Sequence, residues 1–223
     1  MEKKDLLKDV IKHIDIKSYN STELVDAMRN MSFTSRDTAR AADILMMMCK
    51  EKECTNILTL AGSTSAAGCM QVYVDMVRNK MIDVVVATGA SIIDMDLFEA
   101  LGYKHYIGEK ENVIPDTTLR DLYIDRIYDT YIDEEELQAC DHTTFEIANM
   151  LEARPYSSRE FIYEIGKWLH EGNAVKKDSL IQTCYECGVP IFVPAFSDSS
   201  AGFGIGKHQW ERMQKGEKYL SID

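Results

Sequence analysis

A chain of 223 residues, 45% of them hydrophobic, is long enough to bury one sizeable core and is expected to form one domain. Its formal net charge of -12 argues against a nucleic-acid partner, because contact with a phosphate backbone needs a cationic surface; an acidic field suits cationic ligands, although acidity also serves plain solubility. The opening MEKKDLLKDVIKHIDIKSYN has charges throughout and no unbroken apolar run, so neither a signal peptide nor a membrane span is expected and the chain is assigned to the cytoplasm.

In chain order, residues 1–50 are expected to be a helical region ahead of an α/β core over 51–223. Three short apolar runs, 56–61 (NILTLA), 83–87 (DVVVA) and 189–193 (VPIFV), lack strict alternation, as expected of parallel strands covered on both faces. Met70, Val74, Val77 and Met81 fall at helical spacing between the first two strands and complete a βαβ unit. Residues 129–151 (DTYIDEEELQACDHTTFEIANML) read as a helix whose acidic run Asp133–Glu136 lies near its positive end; a catalytic carboxylate cluster is the other reading. Ser157 and Glu160 form a capping box before a helix with Phe161, Ile162, Ile165, Trp168 and Leu169 on one face. Asp178 is expected to cap the next helix, with Gly188 just past its end, ahead of the third strand. Helix, glycine stop and apolar strand in that order predict a doubly wound α/β sheet.

Of the six cysteines, Cys184 and Cys187 form a lone CxxC; with no second pair and scattered histidines, reduced thiols are expected rather than a disulfide framework or a metal site. In open parallel sheets ligands gather at the carboxyl ends of the strands, which singles out three loops. After the first strand, GSTSAAG (62–68) places small residues at a helix start, where a pyrophosphate can approach backbone amides; the signal is weak by itself, and close helix packing is the plainer reading. Thr88, Gly89 and Ala90 follow the second strand, with Asp94 and Asp96 offering carboxylates for ribose hydroxyls or an amine, or else a solvated helix start. After the third strand, Asp198 stands among Ser197, Ser199 and Ser200 in a stretch too rich in glycine (Gly202, Gly204, Gly206) for a helix, and ligand contact is expected there. No GxSxG and no paired nucleophile and base emerge, so the residues alone stop at a nucleotide-cofactor-type α/β domain.

The blocks DTARAADILMMM, CTNILTLAGSTSAAG, MIDVVVATGASIIDMDLFEALG, LYIDRIYDTYIDEEEL, YSSREFIYEIGKWL and GVPIFVPAFSDSSAGFG, in this order, resemble the deoxyhypusine synthase family, including its bacterial and archaeal deoxyhypusine-synthase-like members. The resemblance implies a Rossmann-like fold, a mostly parallel sheet with helices on both faces, a homotetramer, and NAD at the subunit interface. It implies NAD-dependent transfer of the aminobutyl group of spermidine, by way of an enzyme lysine, to a lysine of the hypusine-bearing translation initiation factor. By resemblance, Gly62, Ser63, Thr64, Ser65, Ala66, Thr88, Gly89, Ala90 and Asp198 fall on NAD-contacting loops. Asp94 takes the place of a family glutamate that touches both NAD and polyamine, with Asp96 as its rival, since TGASIIDMDL is one residue longer than the common eukaryotic pattern.

Two departures qualify this expectation. Phe203 stands at a substrate-binding position where eukaryotic members carry an aspartate for a spermidine amine. The sequence also stops at KYLSID, before the family's catalytic lysine, so it is expected to be truncated after Asp223 and inactive in the transfer step by itself; Lys167, in a reversed GKW on a helix face, is not a substitute. Alternatives are a homospermidine-synthase-like transfer to putrescine, a non-catalytic partner subunit, and an unrelated nucleotide-binding α/β domain.

Overall fold

The computed structural model describes residues 1–108 and 113–222. Helices α1 (Lys3–Leu6), α2 (Thr22–Met28) and α3 (Phe33–Lys50) make up much of the N-terminal region, and α3 buries Ala39 alone of its residues. The core begins with β1 (Ile57–Leu60), a helical turn over Ser65–Cys69, α4 (Met70–Arg78) and β2 (Val84–Ala87). A wide helical turn over Ala90–Leu97 runs into α5 (Phe98–Ala100), followed by β3 (His105–Ile107) and α6 (Asp116–Asp121). Next come β4 (Ile124–Ile127), β5 (Thr130–Asp133), α7 (Glu134–Met150), β6 (Pro155–Tyr156) and α8 (Ser158–Trp168). The chain closes with α9 (Leu180–Cys187), β7 (Ile191–Phe192), α10 (Ala201–Gln214) and β8 (Ser221–Ile222).

The protein is mixed α/β, and the three expected strands are neighbours: β1, β2 and β7 form one parallel sheet with β2 in the centre. Val85 pairs with Leu58 on one side and Ile191 on the other, and it is fully buried with Ile92, Phe98, Phe161, Ile165 and Leu180 in the main core. Burying these side chains contributes roughly 1.5–3 kcal/mol each, and it holds the carboxyl ends of all three strands at one edge.

Several expectations need correction. Residues 130–133 are not helical; β5 pairs antiparallel with both β3 and β4 in a second sheet, and the helix starts only at Glu134. Asp133 caps it by accepting Glu135 N at 2.9 Å and Glu136 N at 3.3 Å, while Lys3 bridges Asp133 and Glu135 at 2.6 and 2.8 Å. The acidic run thus complements the positive helix end. Met81 lies beyond α4, which stops at Arg78. The capping box at Ser157 and Glu160 is present, but the cap of α9 is Ser179, whose hydroxyl accepts Gln182 N at 3.1 Å; Asp178 has a left-handed backbone (φ 72°) and pairs with Arg78. Gly188 ends α9 in the left-handed conformation. Gly202, Gly204 and Gly206 do lie in a helix, α10, because a methyl at Gly204 would run into Thr144 Oγ1 and the Asp141 carbonyl: close packing on α7 outweighs poor propensity. Cys184 is buried and Cys187 exposed at the end of α9. No helix among the described residues is long and apolar enough to cross a membrane.

Candidate functional site

Because β1, β2 and β7 run parallel and adjacent, the loops after them meet at one edge. Thr88 N donates to Leu60 O at 3.1 Å, so the first residue of the second loop is tied to the end of the first strand. The Ser91 hydroxyl then joins loops one and two, lying 2.9 Å from Thr88 Oγ1 and donating to the Gly62 carbonyl at 3.1 Å. Loops two and three interlock at Gly89, where a methyl would come within 2.6 Å of Ser199 Cβ; only a missing side chain permits this approach.

The sequence-identified residues divide into two sets within this arrangement. Gly62, Thr64, Thr88 and Asp198 are exposed, Ser63, Ala90 and Asp94 are half-buried, and Gly89 lies buried beneath Ser199. Tyr73 donates its hydroxyl to Thr64 Oγ1 at 2.8 Å and so braces the first loop from α4. Ser65 and Ala66, by contrast, are buried, and the Ser65 hydroxyl is 3.0 Å from Met95 Sδ: this pair packs the loop onto the helical turn behind it.

Asp94 and Asp96 part company sharply. The Asp96 side chain is buried, and its two oxygens accept Leu180 N at 2.8 Å and Ile181 N at 2.7 Å. It supplies two acceptors to the open amide groups that begin α9, so it is not available at the loop edge. Asp94 instead accepts the Ser200 hydroxyl at 2.6 Å and Ser200 N at 3.1 Å, tying the second loop to the third. Burial pushes the Asp94 carboxyl up to about 6 against those two bonds, and nearby Asp141 adds to the push.

Ser200 also lines a cleft of 460 Å³ with Asp125, Glu134, Asp141, Phe145 and Phe203. Burial raises the Asp125 and Asp141 carboxyls as well; with Glu134 they outnumber Lys207, whose ammonium lies over the Phe145 ring in the same lining. Phe203 is 77% exposed at this cleft. Asp141 was missing from the sequence-based selection. Its signal was a carboxylate on the same helical face as Leu137, Thr144 and Phe145, where an apolar residue would be expected.

Residues 23–223 match the family model described as deoxyhypusine synthase. The chain belongs to the deoxyhypusine synthase family. A deoxyhypusine-synthase-like protein of Caulobacter vibrioides is 65% identical over 100% of this chain, which covers 60% of that relative. A Methanosarcina acetivorans protein described as probable deoxyhypusine synthase 2 is 39% identical over 86% of the chain and 54% of its own length. The chain therefore spans little more than half the length of these deoxyhypusine synthase relatives. A crystal structure of an Entamoeba histolytica protein described as a candidate deoxyhypusine synthase superposes with a TM-score of 0.63 over 96% of this chain and 70% of its own, at 19% identity, and so supports the fold.

Proposed function

We propose that the three converging loops bind NAD and that the chain serves NAD-dependent transfer of the aminobutyl group of spermidine to a lysine of the hypusine-bearing translation initiation factor. The observation that carries this reading is the meeting of Gly62–Thr64, Thr88–Ala90 and Asp198–Ser200 at the carboxyl edge of one parallel sheet, in a chain of this family. Small exposed residues ahead of the turn at Ser65 fit a diphosphate against backbone amides, and Asp198 fits ribose hydroxyls. NAD, when bound, accepts hydride from the amine-bearing carbon of spermidine. Asp94, once ionised, holds a substrate ammonium or a ribose hydroxyl by a charge-assisted hydrogen bond, and the acidic cleft beyond Ser200 suits the remaining cationic chain. A single Rossmann-like, doubly wound domain, a homotetrameric assembly and a cytoplasmic location belong to the same proposal.

Calorimetric titration of the chain with NAD and then spermidine tests it. Binding of NAD that weakens by about tenfold in Asp198→Ala, the loss of one charged contact, is expected; absence of NAD binding would sink the cofactor assignment. A second reading, transfer to putrescine, is favoured by Phe203, which sets an aromatic ring rather than a carboxylate at the cleft mouth. Label from spermidine found in a small polyamine and never in protein would select it.

A further inference from the structure

Residues 9–14, outside the three strand-end loops, run alongside the strand β3 and over the end of the first loop. Ile107 N donates to Asp9 O at 2.7 Å, Ile11 N to His105 O at 2.9 Å and Ile14 N to Gly68 O at 2.9 Å. The Lys12 carbonyl passes so close to Gly68 that a methyl there would lie 2.9 Å from it, and Gly68 has φ 96°. Gly68 is therefore where the N-terminal segment crosses the loop, which explains the second glycine of GSTSAAG without any ligand.

The His13 ring enters at this crossing. Its Nδ1 accepts the backbone N–H of Met70 at 3.2 Å, and Met70 is the first residue of α4, whose early amides lack partners within the helix. An accepting Nδ1 carries no proton, so the proton sits on Nε2, which points at Glu99 Oε2 at 2.6 Å. Glu99 lies in α5, at the end of the helical stretch that follows the second loop. Lys176 Nζ at 2.5 Å and His105 Nδ1 at 2.9 Å complete its shell. One imidazole thus joins the end of loop one to the helix behind loop two.

We infer that His13 is a positioning residue for the cofactor site, holding the Gly62–Gly68 loop in register with the Thr88–Ala90 loop by accepting Met70 N–H while donating to Glu99. The inference rests on the NAD reading for its ligand, but its geometry can be probed without one. Asparagine and glutamine separate the two nitrogens: His13→Asn places an acceptor near the position of Nδ1 and gives up Glu99, whereas His13→Gln keeps a donor near the position of Nε2 and gives up Met70. In the ligand-free chain, amide exchange of residues 62–70 accelerates in His13→Gln and His13→Ala but not in His13→Asn.

The NAD dissociation constant rises about tenfold in His13→Gln and His13→Ala, as for one lost hydrogen bond, and stays near the parent value in His13→Asn. Denaturant midpoints, measured alongside, do not follow that order, because His13→Asn also loses a bond to a buried carboxylate. Exchange and affinity that track the midpoints instead, or that do not change in His13→Gln, overturn the inference. If the parent chain fails to bind NAD, the cofactor reading falls, while the exchange ranking still decides whether His13 orders the loop.

Discussion

Asp94 and Asp96 sit two residues apart in the same helical turn, yet one faces the loop edge and the other the core. Both carboxyls are raised to about 6, in each case chiefly by burial. A carboxyl raised in the folded state stabilises fully below its unfolded value near 4, and that contribution is lost as pH rises through about 6. Asp94→Asn keeps an acceptor for Ser200 and removes the buried charge, so it is expected to stabilise the chain by about 1–3 kcal/mol at pH 7.5 and to flatten the stability profile between roughly pH 4.5 and 7, read from urea midpoints. Asp96→Asn turns an amide donor toward a backbone N–H at the start of α9 and costs about 1–3 kcal/mol instead. If the first substitution destabilises at pH 7.5, the burial account of Asp94 is wrong. The spacing in TGASIIDMD named both carboxylates as candidates; that Asp96 is occupied could not be read from it, because its partners lie in α9, more than eighty residues away in sequence but in contact in space.

At the scale of elements, local signals were readable where they stabilise locally. The capping box at Ser157 and Glu160 is reciprocal, with Ser157 N donating to Glu160 Oε2 at 2.9 Å and Glu160 N to Ser157 Oγ at 3.2 Å. Ser157→Ala is expected to cost about 1 kcal/mol in thermal or urea unfolding. The helix α10 was hidden for the opposite reason: its glycines argue against a helix on propensity, and the contact that rescues it is tertiary. Two substitutions separate these effects. Gly206→Ala, where an added methyl meets nothing, is expected to stabilise by up to about 1 kcal/mol, whereas Gly204→Ala pushes α10 off Thr144 and Asp141 and costs about 1–3 kcal/mol. Melting temperatures that move together would mean that the α7 contact does not govern this helix. The second sheet escaped notice because β3, β4 and β5 are three or four residues long and stand against a strongly helical acidic run.

For the whole molecule, the parallel sheet was legible in three apolar runs, but the bond between the N-terminal segment and the core was not, because His13, Glu99, His105 and Lys176 lie on separate parts of the chain and become a cluster only in the fold. Burial alone would raise the Glu99 carboxyl, yet the bonds from His105 and His13 and the charge of Lys176 hold it well below the usual carboxylate range. A depressed carboxyl contributes stability that is present above its unfolded value near 4.5 and lost as pH falls through its folded value. Asp94 and Asp96 act with the opposite sign between about pH 4 and 6, so stability is expected to rise as pH falls from 7 toward about 5 and to drop only in stronger acid. Glu99→Gln strips the ionic partner from Lys176 and a charged acceptor from both imidazoles, and it is expected to cost about 3 kcal/mol near neutral pH, because breaking a buried ion pair leaves the Lys176 charge uncompensated. That deficit should shrink as pH falls below about 4, where protonation of the carboxyl in the unfolded chain begins to erode the parent's advantage. Urea midpoints of the parent and Glu99→Gln across pH 3 to 8 measure it, and a deficit that stays constant over the whole range would show that the cluster contributes packing rather than charge.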